Sequence, residues 1–256
     1  MGYSTIILEK KNYIAKLTLN RPERFNAVSQ QMLEELLVAF DDVDKDESVR
    51  VLVITGAGKG FCAGADVTGM PGGGAPQQVV LGSTIIRSLR MVEKPVIAMI
   101  NGPAVGGGCA LALACDMRVG SENARFMNAF VRRGLSSGWA GPWLYPRLMG
   151  LGKAMEILLT GDFLEAQEAE RIGVLNKLVP TEDLEKETMA LASKIAAGPP
   201  IAIRETKRLV YEGLESEFQT ALQSSDKGEY VTAVTEDFLE GVKAFMEKRS
   251  AEFKGR

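Results

Sequence analysis

An α/β fold finished by a layer of helices is the class this sequence predicts, and three observations predict it. Two passages, VLVITGAGKGFCAGAD (51–66) and VIAMINGPAVGGGCAL (96–111), nearly repeat each other as buried strand, small-residue turn and helix start. From Gly150 onward the punctuation is helical, and helices gathered after strands suggest a second layer. At 256 residues, 46% hydrophobic and 25% charged, the chain has the composition of a globular protein, with length for one substantial core and a small appended subdomain.

In order along the chain, TIILEK and YIAKLTLN read as two extended segments around the polar Lys10-Lys11-Asn12, an opening hairpin. Ser29 has the chemistry of a helix N-cap, and Met32, Leu33, Leu36, Leu37, Phe40 and Val43 follow at helical spacing. VRVLVIT (49–55) is β-branched and too short for a stable free helix; the glycine-rich 56–64 ends it as a buried strand. A periodic helix over 79–92 is broken by Lys94-Pro95, and PVIAMI (95–100) is a second buried strand. Helical runs then end at Gly161 and Gly173, and further helices span 181–197, follow Pro199-Pro200 and close the chain over 235–253. The last carries Phe238, Val242, Phe245 and Met246 on one face, a pattern often used between subunits.

Charge and composition exclude several functions. A formal net charge of −3 and a pI near 5.4 give no global positive field for nucleic acid, so an anionic ligand must be held by local donors. No histidine is present, which removes Ser-His-Asp and Cys-His nucleophilic systems, HExxH zinc sites and any imidazole base. Cys62, Cys109 and Cys115 are odd in number and lie in no CxxC pair, so free thiols are expected, with no metal site. The opening MGYSTIILEKK does not read as a secretory leader. The most apolar stretch, 95–115, is broken by Asn101 and four glycines, short of the about 20 unbroken apolar residues of a membrane span. A cytoplasmic protein without membrane or nucleic-acid partners is the expectation.

Gly56-Ala57-Gly58 after a strand invites a dinucleotide reading, but Phe61 stands where GxGxxG needs glycine, and the acidic residue expected about 20 positions on is lacking. A phosphate loop fails too: Gly60 follows Gly58-Lys59 where Ser or Thr is required. The two small-residue turns have another use. Glycine and alanine let backbone approach a ligand, and amides at a helix start point outward as partially positive donors. If Ala65 and Gly107 offer N–H groups to one point, they form an oxyanion hole for a thioester oxygen; tight packing alone would also explain the glycines.

LNRPERFNAV (19–28), ITGAGKGFCAGADV (54–67), KPVIAMINGPAVGGGCALALACD (94–116) and LLTGDFLEAQEAERIGVLNKLVP (158–180) resemble the successive signatures of the crotonase (enoyl-CoA hydratase/isomerase) superfamily. The resemblance covers nearly the whole chain and implies a spiral of ββα repeats with a helical C-terminal region that forms trimers or hexamers. A core over 1–195 and a helical region over 196–256 are expected. The substrate would be a coenzyme A thioester, with no cofactor beyond the coenzyme A of the substrate itself. By the same resemblance Ala65 and Gly107 supply the oxyanion pair, Asn26, Ala27, Ala63, Asp66 and Val67 line the coenzyme A channel, and Lys248 reaches a coenzyme A phosphate. Glu23 stands at a position often basic in the family, which shifts the phosphate role to Arg24.

The acid/base set departs from the pattern. Family hydratases carry one glutamate at the position of Ala110 and a second at that of Phe130; some isomerases carry aspartate at that of Gly138. Nearby polar residues are Asn128, Arg132, Arg133, Ser136, Ser137 and Asp66, none with an ordinary pKa suited to taking a proton near neutrality. Trp139, Trp143 and Tyr145 are expected to wall an acyl pocket. The leading reading is a lyase or isomerase on an unsaturated acyl-CoA through a stabilised enolate. A malonyl-type acyl-CoA decarboxylase, with Arg132 or Arg133 orienting the extra carboxylate, and a thioester-binding protein with little catalysis are the alternatives.

Overall fold

The computed structural model describes residues 2–66 and 75–256, with the side chains of 75–81 left aside. The chain opens as an antiparallel hairpin, β1 (Ile6–Lys11) and β2 (Ile14–Leu19), in register Ile6↔Leu19. Its turn lies one residue later than the polar residues suggest. Asn12 and Tyr13 take positive φ of 52° and 64°, the geometry of a two-residue hairpin turn. Lys10 stays in the strand, where its ammonium lies 2.6 Å from Asp46 and 2.9 Å from Asp42.

Helix α1 (Gln30–Lys45) starts at Ser29, whose Oγ accepts the Met32 N–H at 3.2 Å. It buries Met32, Leu33, Leu36, Phe40 and Val43 on the predicted face, each contributing about 1.5–3 kcal/mol of transfer free energy. Strand β3 (Val51–Gly56), helix α2 (Ala75–Met91) and strand β4 (Val96–Ile100) follow; α2 begins four residues before the predicted start at 79. β5 (Pro103–Val105) and α3 (Gly107–Ala114) come next, so that β4, β5 and α3 repeat the strand–strand–helix succession of β1, β2 and α1. Then come β6 (Met117–Ser121), β7 (Arg125–Met127), α4 (Gly141–Met149), α5 (Leu151–Thr160), β8 (Phe163–Glu165), α6 (Ala166–Arg171) and β9 (Lys177–Val179).

Among the described residues β1-β2-β3-β4-β6-β9 form one sheet, parallel apart from the opening hairpin, and β5-β7-β8 form a smaller one. The uninterrupted apolar runs of β3 and β4 are explained by burial on both faces. Leu52, Ile54, Ala98 and Ile100 join the main core with α1, α2 and α3. Val51, Val53, Ile97 and Met99 face a second cluster with Leu184, Ala192 and Ala196 of α7 (Leu184–Ala196).

Three helices end the chain: α8 (Pro200–Gly213), α9 (Phe218–Ala233) and α10 (Glu236–Glu247). α8 buries no residue within the single chain, and Phe218, Tyr230, Val234, Phe245 and Met246 stand more than two-thirds exposed. The closing helix stops at Glu247, earlier than the predicted 253, because Lys248 turns left-handed at φ 55°. The tail then folds back. The buried Asp237 carboxylate accepts the Lys254 and Gly255 N–H groups at 2.6 and 2.8 Å, and Arg50 donates to the Phe253 carbonyl at 2.8 Å. No helix among the described residues is long and apolar enough to cross a membrane.

Candidate active site

Two asparagines hold the turn that follows β3. Asn26 Nδ2 donates to the carbonyls of Ala57, Gly60 and Phe61 at 2.9, 2.8 and 3.3 Å, and its Oδ1 accepts the Arg21 N–H at 3.0 Å. Asn101 Nδ2 donates to Gly58 O and Gly60 O at 3.0 and 3.3 Å. Asn26 is 0% exposed, so its side chain has no surface for the channel-lining contact the resemblance implies. Its amide is consumed in shaping the turn, because the carbonyls of a bent backbone need donors that the backbone itself cannot bring.

Beyond this turn the chain runs as a short extended segment. The Cys62 carbonyl accepts the Val105 N–H at 2.9 Å, and Val28 N–H donates to Gly64 O at 2.7 Å while Asp66 N–H donates to Val28 O at 2.9 Å. In that parallel bridge the residues flanking Ala65 make both bonds to Val28. The N–H of Ala65 itself therefore points away from the bridge. Gly64 sits at φ +87°, and a Cβ there would lie 2.8 Å from Val105 O and 3.0 Å from Gly107 N. Ala65 thus follows a glycine with no room for a side chain beside the Gly107 amide.

Gly106 makes the second turn. Its φ of 55° and ψ of −119° are accessible chiefly to glycine, and its N–H donates to Met127 O at 2.8 Å. α3 begins immediately after it, and the first N–H groups of a helix have no intrahelical acceptor. The other end of α3 is closed: buried Arg118 donates from Nη1 to Cys115 O at 2.7 Å and from Nε to Val174 O at 2.6 Å. A helix whose first amides take no capping side chain among the described residues, and whose other end lies under a guanidinium, is polarised toward anions. Two amides at that first end can stabilise negative charge on a carbonyl oxygen.

The sequence pattern of enoyl-CoA hydratase/isomerase proteins matches residues 9–256. This chain belongs to that family. It is 39% identical over 257 residues to a crotonyl-CoA hydratase of Syntrophomonas wolfei, covering 99% of each chain. To the short-chain-enoyl-CoA hydratase of Clostridium acetobutylicum it is 36% identical, covering all of both. Its backbone superposes on the crystal structure of an enoyl-CoA hydratase from Bacillus anthracis with a TM-score of 0.96 at 35% identity, over 99% of this chain and 100% of that one.

In this hydratase/isomerase family member the residues at the three acid/base positions are apolar. Ala110 is 1% exposed and sits one turn into α3. Phe130 and Gly138 are brought together: a Cβ on Gly138 would lie 3.3 Å from the Phe130 ring, and one on Gly106 would lie 4.0 Å from it. Trp139, itself left-handed at φ 54°, lays its indole over the start of α3, where a Cβ on Gly107 would meet it at 2.7 Å. Trp143 faces a different part of the molecule, and Tyr145 is spent inside the core beside α3. Trp143 lines a cavity of about 840 Å³ with Leu113, Cys115 and Tyr211, at the C-terminal end of α3. Tyr145 is buried and donates its hydroxyl to Cys109 Sγ at 3.0 Å. Desolvation raises its pKa well above the ordinary phenol value.

Among the other named residues, Asp66 is engaged by Arg21 Nη2 at 2.8 Å, with the two side chains only 11% and 19% exposed. Ala27 is buried and its carbonyl oxygen accepts a hydrogen bond from Arg21 Nη1 at 2.6 Å; Ala63 is half-buried; Val67 lies outside the described residues. Arg24 is exposed on the loop that packs against the β3 turn, where a Cβ on Gly58 would lie 3.1 Å from Pro22. The same packing brings the exposed Lys59 to that surface, a cation the sequence reading passed over. Lys248 is exposed at the end of α10. Arg132 pairs with Asp162 at 2.5 Å, and Arg133 and Ser136 are exposed. All three cysteines are free and buried, and desolvation pushes each thiol up to about 12, leaving no thiolate near neutral pH. Asn128 and the Ser137 hydroxyl are the buried polar side chains without any hydrogen-bond partner among the described residues.

Proposed function

We propose that this chain is an enzyme acting on acyl-coenzyme A thioesters, stabilising the enolate form of the thioester at the amides of Ala65 and Gly107. The observation that carries the reading is the Ala65 N–H turned away from its bridge to Val28, beside the uncapped start of α3. Arg24, Lys59 and Lys248 are exposed cations suited to the coenzyme A phosphates. A hydratase or isomerase type of reaction is supported by the names of its relatives. Calorimetry should find a short acyl-CoA bound more tightly than free coenzyme A, since the thiol offers no carbonyl oxygen to the two donors. Equal affinities would sink the assignment.

One observation favours a second reaction. Ala110, Phe130 and Gly138 offer no titratable group, and decarboxylation of a malonyl-type thioester needs none: the bond to the carboxylate breaks, carbon dioxide leaves and its electron pair becomes the enolate. With Arg132 tied to Asp162, Arg133 is the cation left to orient such a carboxylate. Incubation with enoyl-, 3-hydroxyacyl-, malonyl- and methylmalonyl-CoA, followed by mass spectrometry, separates the two reactions from simple binding.

The enzyme is a homotrimer or a hexamer built from trimers in this reading, because the apolar faces of α8, α9 and α10 are open in the single chain. Light scattering should give three or six times the monomer mass; a stable monomer at micromolar concentration would refute it. The core over 1–195 and helical region over 196–256 are proposed as the corresponding division of labour.

A further inference from the structure

Asn128 is 1% exposed, and neither its Oδ1 nor its Nδ2 has a hydrogen-bond partner among the described residues. Buried amides left unpaired on both atoms are rare, because such a group gives up its water and receives nothing for it. The asparagine follows β7, whose last residue, Met127, accepts the Gly106 N–H through its carbonyl at 2.8 Å and hydrogen-bonds the Cys109 thiol through its backbone. Those two residues flank Gly107 and Ala110. The chain just before 128 therefore passes beside the amide end of α3 and the neighbour of Ala110, while the carbonyl of Asn128 itself lies 3.2 Å from where a Cβ on Gly161 would be. On its far side, Ala129 and Phe130 lie 3.9 and 4.0 Å from where a Cβ of Gly106 would be. Ser137, two residues before the indole that covers Gly107, has a buried hydroxyl in the same unpaired state.

Resting on the acyl-coenzyme A reading above, we infer that Asn128 is a specificity-determining residue which selects thioesters bearing an oxygen substituent on the acyl chain. An amide is no general base, but it offers one acceptor and two donors in a fixed plane. A hydroxyl both donates and accepts, so it satisfies Oδ1 and Nδ2 together. An unsubstituted acyl chain leaves both unpaired. Sites built around a buried polar group reject the analogue lacking the matching group far more strongly than apolar pockets reject an extra atom.

Titration calorimetry with butanoyl-, 3-hydroxybutanoyl- and 4-hydroxybutanoyl-CoA tests this on the wild type, Asn128→Leu and Ser137→Ala. The expectation is that one hydroxylated thioester binds about tenfold or more tightly than butanoyl-CoA, a modest share of the discrimination open to a buried hydrogen-bonding site. Asn128→Leu should erase that ratio, keep butanoyl-CoA affinity and melt no lower than the wild type, since an apolar group of similar shape replaces an unpaired amide. Ser137→Ala should keep most of the ratio. Equal binding of all three thioesters by the wild type overturns the inference while sparing the parent reading. A ratio that survives in Asn128→Leu, or a variant that melts well below the wild type and so reveals a structural role, also overturns it. Failure of every thioester to bind, butanoyl-CoA included, removes the parent reading and this inference with it.

Discussion

The two halves of the site are made of different materials. In the proposed reading one half is backbone: the Ala65 and Gly107 amides, set by a parallel bridge, a left-handed glycine and the first turn of α3. The other half is side chain, and where family hydratases place carboxylates it carries methyl, phenyl and hydrogen at Ala110, Phe130 and Gly138. A backbone device tolerates almost any exchange of side chains around it; a proton-transfer device vanishes with one substitution each. If the proposed site is right, the contrast teaches that charge stabilisation and proton transfer are separable in this fold.

The strongest way to break that contrast is to refill the side-chain half. Ala110→Glu with Phe130→Glu should raise crotonyl-CoA hydration by about 10²-fold or more, because each positioned acid or base typically supplies about 10² to 10⁴. A melting curve must accompany the assay, since Ala110 is buried in the core. The wild type should hydrate crotonyl-CoA slowly. Hundreds of turnovers per second, on the order of the upper range for ordinary enzymes, would mean that another group moves the proton, and Asp66 would be the first to replace.

Next in size is damage to the backbone half. Gly107→Pro removes a donor, and a loss of about 10²-fold in turnover is the expected scale. Any Cβ at this position also meets the Trp139 indole at 2.7 Å. Gly107→Ala is therefore measured beside it: the alanine keeps the N–H and suffers the contact, and only the difference between the two reports the donor. Equal losses would show that packing, not the amide, is what was removed.

The smallest effect sharpens the contrast through pH. The backbone half has nothing to titrate, so the preference for acyl-CoA over coenzyme A should be level from about pH 5 to 8, where peptide groups carry no proton equilibrium. Acid sensitivity should come from elsewhere. Burial tends to raise Glu35, but hydrogen bonds from Ser4 and Thr5 at 2.7–3.1 Å overrule it and hold the carboxyl down at about 2, against an ordinary 4.5. A pKa lowered by folding stabilises fully above the unfolded value and is lost as pH falls toward the folded one. Glu35→Gln should thus flatten the fall in stability between about 4.5 and 2. Denaturant melts across that window check it.

Much of the backbone half was legible in the sequence. Strand and small-residue turn are local patterns, and both lie where the near-repeat puts them; the helix start expected after each follows only the second turn, since the chain runs extended through Ala65 and α2 begins at Ala75. What escaped was whatever depends on distant partners. Asn26 reads as a ligand contact until the carbonyls of Ala57, Gly60 and Phe61, more than thirty residues away, claim its amide. Trp139 and Trp143 look equivalent by composition, yet a left-handed backbone lays the first over Gly107 while the second faces the far end of α3. Asn128 was visible as a polar residue near the site, but burial without a partner is a property of packing. The end of α10 was misplaced for the same reason, since Asp237 takes the amides of the returning tail.

Arg118 would lend the proposed site a property that ordinary salt cannot alter. The residue is 3% exposed and its guanidinium donates to the Cys115 carbonyl at the end of α3 and to the Val174 carbonyl, where counterions do not reach. Exposed charges are screened over about 10 Å at 0.1 M ionic strength, buried ones far less. The grip of Arg24, Lys59 and Lys248 on phosphates would weaken with added salt, while the pull on the thioester oxygen would not. Capture and activation of one ligand would then answer to different solution conditions.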